Sequence, residues 1–355
     1  MMPFPQSFVA AAFATLLCTA TVPVVLWLSH RFQWYDVPNA RKIHTGDIPR
    51  LGGVGIFVSF IAAFLLASLV FGFAGVPAVW PIHGEILFVL AGMVVIHVTG
   101  LVDDFYNLKA IIKFLLQIIA AALVTMGGFL IRSIPIPFFG SISLGILSYP
   151  VTVLWIVGIT NALNLVDGID GFAGGITAIS ALSMGFLSVD GSGTSSLGIP
   201  FILCGAVLGF LFYNYPPARI FMGDSGALFL GFTLAVIPLL QLPSQPSVTS
   251  LLIPVTILTI PILDTASAII RRTRKGLPFY SADREHIHHK LQNLGLTDRK
   301  ILLITYSYCA FLGVVCCLSR FLKADIAFLT LVSVWVLSIL CFFALRNRSN
   351  AKSGS

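Results

Sequence analysis

The chain has 355 residues, of which 57% are hydrophobic and only 10% are charged. Because soluble domains carry about 25% charged residues, this composition excludes a soluble globular protein and indicates a polytopic membrane protein. A formal net charge of +7 could suggest nucleic-acid binding, but the distribution of the basic residues argues against it. The six cysteines all fall in apolar stretches without metal-type spacing, which indicates buried thiols rather than a disulfide framework.

Apolar stretches long enough to cross a bilayer recur along the chain and predict eleven spanning helices in one all-α domain, residues 1–345. The predicted spans are 8–28, 52–73, 85–102, 111–131, 149–163, 172–189, 198–214, 226–241, 249–270, 300–319 and 326–345. A signal peptide is the alternative for the first, but no Lys or Arg precedes it, so we predict a retained helix. Residues 132–148 predict a short extended excursion, and 346–355 a disordered cytoplasmic tail.

The basic residues predict the orientation of these spans. Eighteen fall on one side and three on the other, which together make the 21 Lys and Arg of the chain. The positive-inside rule then places the N-terminus outside and the C-terminus in the cytoplasm. Most acids fall on the cytoplasmic side, beside apolar helix ends, and only Asp264 lies within a span. We therefore expect a functional site at the cytoplasmic face of the membrane.

Four polar side chains recur at every third residue of the segment N-A-L-N-L-V-D-G-I-D-G, residues 161–171: Asn161, Asn164, Asp167 and Asp170. Residues i and i+3 are neighbours on a helix surface, so the first three could share one side. The glycines that follow permit a turn. These side chains suit hard-cation or base recognition; the alternative is a polar loop tip whose Asn and Asp form turns.

Asp103 and Asp104 end the third predicted span. Adjacent carboxylates repel each other, more so at the negative end of a helix dipole, so the pair requires a cation or a shared proton. Lys113, at the start of the next helix, could supply the counter-charge or hold a phosphate. The alternative is a solvated helix terminus.

The segment F-M-G-D-S-G, residues 221–226, precedes the eighth span. Asp224 is interpreted either as a helix N-cap or as a metal-binding carboxylate at a helix end where phosphates also bind. Phe221 could stack on a flat base or lie at the lipid interface.

The segment D-R-E-H-I-H-H, residues 283–289, lies in the largest cytoplasmic loop. H-x-H-H without a nearby Cys is a weak zinc signal, and the neighbouring Arg residues favour an anionic substrate. Residues 271–275 form a basic cluster typical of an anchor to anionic lipid. The chain contains neither phosphate-loop nor dinucleotide-binding glycine patterns. Its acids instead fit Mg²⁺, which takes one or two carboxylates plus substrate phosphates.

V-D-D at 102–104 and the three segments above, together with P-N-A-R-K-I-H-T-G-D-I-P-R-L-G-G at 38–53, resemble the polyprenyl-phosphate N-acetylhexosamine-1-phosphate transferase family. This resemblance implies transfer of a sugar-1-phosphate from a UDP-N-acetylhexosamine to a polyprenyl phosphate, with release of UMP and a requirement for Mg²⁺, or Mn²⁺ in its place. The H-I-H-H run is similar to the undecaprenyl-phosphate N-acetylglucosamine branch, in the bacterial cytoplasmic membrane, which begins the synthesis of surface polysaccharides. The phospho-N-acetylmuramoyl-pentapeptide branch is the alternative.

The resemblance also implies roles for individual residues. It makes Asp103, Asp104, Asp167 and Asp224 catalytic and places Asn164 with Asp103, Asp104 and Asp224 at the metal. The substrate contacts that it implies are Lys113 to the diphosphate, Asp170 and Phe221 to uracil, Arg284, His286, His288 and His289 to the sugar phosphate, and a further contact from Asn161. Membrane lipid is an expected partner, nucleic acid is not, and a homodimer is left open.

A secondary transporter would require paired acids within spans and an inverted repeat, and the sequence contains one such acid and no repeat. A structural scaffold would not explain the clustered acids. The lipid phosphate is mostly dianionic at pH 7, so we expect positioning and charge neutralisation to matter more than a general base.

Overall fold

The computed structural model describes residues 4–35, 48–73, 84–137, 140–188, 198–242, 246–277 and 285–353. Almost all of the regular structure in these ranges is helical. The helices are α1 Phe4–Phe32, α2 Gly52–Phe73, α3 Gly84–Tyr106, α4 Ala110–Met126, α5 Ser148–Val166, α6 Phe172–Leu187, α7 Gly198–Asn214, α8 Gly223–Gln241, α9 Val248–Ile257, α10 Thr259–Arg274, α11 Ile287–Asn293, α12 Asp298–Ser319 and α13 Ala324–Ser353.

The lengths of these helices follow from the width of a bilayer. In the described part of the chain, seven helices are long and apolar enough to cross a membrane, or eight if α9 and α10 form one span that bends by 78°. The helices α4, α6 and α7 are apolar but shorter. The prediction of an all-helical polytopic membrane protein is confirmed, while eleven spans and their orientation stay predictions.

Helix α8 lies at the centre of the bundle, because it packs against α2, α3 and α5 and buries nearly all of its residues from Ser225 to Leu240. On another side, α1 and α7 approach closely. A Cβ at Gly205 would lie 2.1 Å from the carbonyl oxygen of Ala11, and the hydroxyl of Thr15 donates to the Gly205 carbonyl at 3.0 Å. Small residues at such contacts let helix backbones meet where apolar burial alone gives little driving force.

The connection between α4 and α5 contains the strands β1 Ser133–Ile136 and β2 Gly140–Ser143. They pair antiparallel, with Ser133 opposite Ser143 and Ile136 opposite Gly140. The extended excursion predicted at 132–148 is therefore confirmed, although a short 3-10 turn and the start of α5 occupy its last residues. At the C-terminus, α13 continues to Ser353, so the structure shows helix at 346–353 where composition predicted a disordered tail.

Candidate active site

Four side chains from four helices form a polar network beside the start of α8. Lys113 donates to Asp103 Oδ2 at 2.6 Å and to Asp224 Oδ1 at 2.8 Å. Asn164 donates to the same Asp224 oxygen at 2.6 Å, and the backbone N–H of Leu108 donates to Asp103 Oδ1 at 2.7 Å. The ammonium group of Lys113 thus separates two carboxylates that would otherwise repel each other. Lys113 therefore lies as a counter-charge to Asp103, one of the two roles that the sequence left open for it, while its contact with the diphosphate stays a prediction.

Asp104 has a different environment from its neighbour Asp103. Its Oδ1 accepts a hydrogen bond from the backbone N–H of Asp224 at 2.7 Å, and its Oδ2 accepts one from Ser225 at 3.0 Å. These N–H groups belong to the first turn of α8, where the helix itself provides no acceptor. The N-cap residue of α8 is Met222, whose side chain cannot accept such bonds. The N-cap interpretation of Asp224 is therefore wrong, since Asp104 satisfies that turn.

A cavity of about 360 Å³ opens beside this network. It is lined by Arg50, Asn164, Asp167, Gly168, Ile169, Asp170, Asn214, Phe221, Met222, Gly223 and Asp224. The cavity brings together the acids of two separate sequence motifs, 161–171 and 221–226, together with an aromatic ring and a cation. Such a combination suits a ligand that carries both a flat base and phosphates.

The carboxyl group of Asp167 follows directly after α5. Its pKa is raised to about 7, mainly by burial and then by the negative charges of Asp224, Asp170 and Asp104. Arg50 acts in the opposite direction. The cavity therefore holds more negative charge than the protein alone balances there, which favours a bound cation.

The donor set fits Mg²⁺. Among the residues described, no three His, Cys, Asp or Glu side chains converge on one metal position. Mg²⁺ does not need such a set, because one or two carboxylates and substrate phosphates complete its coordination. Asp224 and Asp167, with the amide oxygen of Asn164, are the cavity-lining groups that would hold it. Asp103 and Asp104, which the resemblance also placed at the metal, do not line the cavity.

Hydrogen bonds fasten the loop between α5 and α6, residues 167–171, to the segment that follows α7. Asp170 Oδ2 accepts from the backbone N–H of Ala218 at 3.0 Å. Asn214 accepts from the N–H of Gly171 and donates to the carbonyl of Ile220, both at 2.9 Å. One oxygen of Asp170 is thus committed to the protein, and the predicted contact with uracil would fall to the other.

The end of the first loop is joined to the segment that carries Phe221. The N–H of Phe221 donates to the Pro49 carbonyl at 2.8 Å, and the N–H of Gly52 donates to the Phe221 carbonyl at 2.9 Å. A third backbone bond joins Gly53 to Met222 at 2.8 Å. These bonds place Arg50 and Phe221 on the same cavity.

Comparisons with known proteins agree with this geometry. A family model described as "Glycosyl transferase family 4" matches residues 86–241. A Bacillus subtilis protein named "Probable undecaprenyl-phosphate N-acetylglucosaminyl 1-phosphate transferase" is 36% identical over 341 residues, which cover 96% of this chain and 90% of that protein. The chain belongs to glycosyl transferase family 4.

Two further relatives extend the comparison. The "Decaprenyl-phosphate N-acetylglucosaminephosphotransferase" of Mycobacterium tuberculosis H37Rv is 37% identical over 329 residues, covering 84% of this chain and 79% of that protein. The "Undecaprenyl-phosphate alpha-N-acetylglucosaminyl 1-phosphate transferase" of Escherichia coli K12 is 30% identical over 319 residues, covering 87% and 81%. The resemblance to this family is confirmed, and these names do not favour the phospho-N-acetylmuramoyl-pentapeptide alternative.

Asn161 is placed differently from the other members of its motif in this family 4 chain. Its amide forms reciprocal hydrogen bonds with the amide of Gln117 in α4, and it also donates to the Val157 carbonyl at 2.8 Å. It does not belong to the cavity lining, so the geometry supports a helix-pairing role rather than the predicted substrate contact.

The histidines of the H-I-H-H run lie on or next to α11. His286 Nδ1 is 2.7 Å from Asp264 Oδ2, and His289 Nδ1 is 3.2 Å from the Gln292 side-chain oxygen. Burial lowers the pKa of His288 to about 3, so this ring is neutral, and its Nδ1 has no hydrogen-bond partner within the described ranges. None of the three lines the cavity, and Arg284 lies outside the described residues. Their contacts with a sugar phosphate stay predictions.

Two polar side chains of the cavity lining, Arg50 and Asn214, did not emerge as candidates from the sequence. Arg50 stands two residues before the second predicted span, 52–73, where a basic residue is typical of a cytoplasmic helix end, so its position in the cavity was not apparent. Its place within the R-L-G-G segment of the family-like first loop was the available signal. Asn214, at the end of an apolar helix, had no comparable signal.

Proposed function

We propose that this chain transfers N-acetylglucosamine-1-phosphate from UDP-N-acetylglucosamine to undecaprenyl phosphate and releases UMP. The observation that carries the proposal is the cavity, in which Phe221, Arg50 and three acids converge beside the Asp103–Lys113–Asp224 network. The names of the relatives favour N-acetylglucosamine as the sugar and a polyprenyl phosphate as the acceptor.

The donor would be held by chemically distinct groups of the cavity. Phe221 offers a ring face on which uracil can stack, and the second oxygen of Asp170 can accept from the N–H of the base. The guanidinium group of Arg50 has the fork geometry that suits a diphosphate. Mg²⁺, when bound by Asp224, Asp167 and Asn164, would neutralise charge that develops on the diphosphate.

The reaction forms one bond and breaks another at the β-phosphorus of the donor. An oxygen of the lipid phosphate bonds to that phosphorus, and the bond to the oxygen that bridges to the α-phosphorus breaks, so UMP leaves with the electron pair. The lipid phosphate has a second pKa near 6, so it attacks as the dianion without a protein base. Lys113, held between Asp103 and Asp224, places a positive charge next to the cavity acids.

The apolar helices support a membrane location for this reaction. We place the chain as a single multi-pass domain in the bacterial cytoplasmic membrane, with the cavity on the cytoplasmic side, where UDP-sugars and the lipid phosphate meet. The product would begin a cell-surface polysaccharide, such as an O-antigen or a teichoic acid.

The test is release of UMP by the purified protein in lipid nanodiscs with UDP-N-acetylglucosamine, undecaprenyl phosphate and Mg²⁺. We expect release that stops when the acceptor is omitted or when EDTA is added, and that is abolished in Asp224→Asn. A panel of UDP-N-acetylhexosamines tests the sugar. If no donor of the panel yields UMP, the transferase proposal is rejected. If only a donor other than UDP-N-acetylglucosamine yields UMP, the proposal stands with that other sugar.

A further inference from the structure

Asp264 is a fully buried acid, with 0% of its surface exposed, inside the apolar bundle. Both of its oxygens accept hydrogen bonds from residues more than 20 positions further along the chain. Oδ2 lies 2.7 Å from His286 Nδ1, and Oδ1 accepts from the backbone N–H of Ile287 at 2.8 Å. A carboxylate is costly to bury without partners, so these two charge-assisted bonds form a strong tether.

The tether attaches the beginning of α11 to α10. His286 is the N-cap residue of α11, and Ile287 is its first residue. Because a carboxylate oxygen only accepts, the proton of this bond lies on His286 Nδ1, which sets the orientation of the ring. The ring of His288 lies parallel to it, with centroids 6.0 Å apart and planes 6° apart. Asp264 is thereby linked, through His286 and the start of α11, to His288.

His288 in turn contacts the loop 167–171. It is 2% exposed and packs edge-on against Phe172 at a centroid distance of 5.9 Å. A Cβ at Gly168 would lie 2.2 Å from His288 Cε1 and 2.3 Å from Nε2, so only glycine fits beneath this ring. Gly168 lines the cavity between Asp167 and Asp170.

We propose that Asp264 is a positioning residue, which acts through His286 and His288 to hold the loop 167–171 in the geometry that turnover requires. The inference rests on the proposed function, because turnover is its readout. Within the described ranges Asp264 does not line the cavity, and both hydrogen bonds of its carboxylate go to the start of α11, so it acts by locating that helix. A misplacement of about 1 Å at a reacting group costs ~100-fold in rate, which is the scale of effect expected when the loop moves.

The first experiment changes the tether. Asp264→Asn keeps an acceptor for Ile287 but turns an N–H donor toward His286, so we expect UMP release to fall by roughly 10- to 100-fold. The matched control is Ser267→Ala on the same helix, whose hydroxyl contacts the Asp264 carbonyl and Arg271 rather than α11. The control should keep the wild-type rate. Wild-type turnover in Asp264→Asn would overturn the proposal.

The second experiment tests the contact at the far end and does not depend on the folding of an Asp264 variant. Gly168→Ala should lose about 100-fold in rate, because its methyl group overlaps His288. Adding His288→Ala removes the obstacle, so the double variant should recover at least about tenfold over Gly168→Ala. If the rate losses of the two single variants multiply in the double variant instead, His288 does not hold the loop 167–171, and direct contact of His288 with the substrate is favoured. A wild-type protein that releases no UMP would reject the proposed function itself.

Discussion

Replacing Asp104 by Asn separates the metal-binding role that the family resemblance implies from the helix-capping role that its hydrogen bonds show. The carboxylate accepts the N–H groups of Asp224 and Ser225 with one oxygen each. Asn retains a single acceptor and turns an amide N–H toward the other donor, so one charge-assisted bond is lost. Such bonds contribute about 1.5–3 kcal/mol, and we expect the free energy of unfolding to fall by about 2 kcal/mol. For a chain of 355 residues, that corresponds to a decrease in the midpoint of thermal unfolding of about 3 °C.

The same change should impair catalysis, because Asp104 positions the backbone of the residue that carries the Asp224 carboxylate. We expect the rate of UMP release to fall by about 100-fold at every pH while the shape of the pH profile is kept. The assay pairs turnover with thermal unfolding of purified protein in detergent containing EDTA. Removing the metal matters because a cap stabilises the helix whether or not Mg²⁺ is present.

A matched control is Asp298→Asn in the first turn of α12, where the carboxylate accepts from the Gln292 side chain at 2.9 Å, away from the cavity. It should change stability by only a few tenths of a kcal/mol and leave the rate unchanged. If Asp104→Asn has an unchanged or higher unfolding midpoint in EDTA, the cap is not its role. Relief of repulsion at a metal site would then explain the variant better.

Three further predictions concern the cavity. Phe221→Ala should weaken binding of the UDP-sugar, measured by calorimetry, by about 5- to 150-fold, the equivalent of ~1–3 kcal/mol of stacking. Phe221→Tyr keeps the ring face and should bind nearly as tightly as the wild type. Equal affinities of Phe221→Ala and the wild type would exclude stacking. Arg50→Ala should raise the KM for UDP-N-acetylglucosamine by ~10-fold or more. Arg50→Lys should not restore the wild-type KM, because an ammonium group lacks the paired N–H donors of the guanidinium. A wild-type KM in Arg50→Lys would contradict this role. Burial raises the pKa of Asp167 from its ordinary 3.8 to about 7, so the metal-free native state holds an extra proton between these values. The midpoint of thermal unfolding in EDTA should therefore fall as pH rises through that interval, and Asp167→Asn should make this midpoint less dependent on pH. The same pH dependence in Asp167→Asn as in the wild type would show that another group titrates.

Local sequence determined the helical elements and the segments that supply the site. Apolar length is a property of contiguous residues and is set by bilayer thickness, so the long apolar helices were visible without tertiary information. The short α11 instead lies in a predicted loop, and α9 and α10 were predicted as one span. Two of the sequence motifs, 161–171 and 221–226, supplied five candidate residues that line the cavity: Asn164, Asp167, Asp170, Phe221 and Asp224. Their chemistry, hard oxygen donors with an aromatic ring, is readable from residue type.

Tertiary structure decided which of these groups face one another. Asp103 and Asp104 are adjacent in sequence, yet one pairs with Lys113 and the other caps α8. Asn161 shares the spacing of its motif but is rotated toward Gln117, away from the cavity. The bond between Asp264 and His286 spans 22 residues and depends on how α10 leaves its bend. Helix rotation and packing set such contacts, and neither leaves a periodic signal in a single sequence.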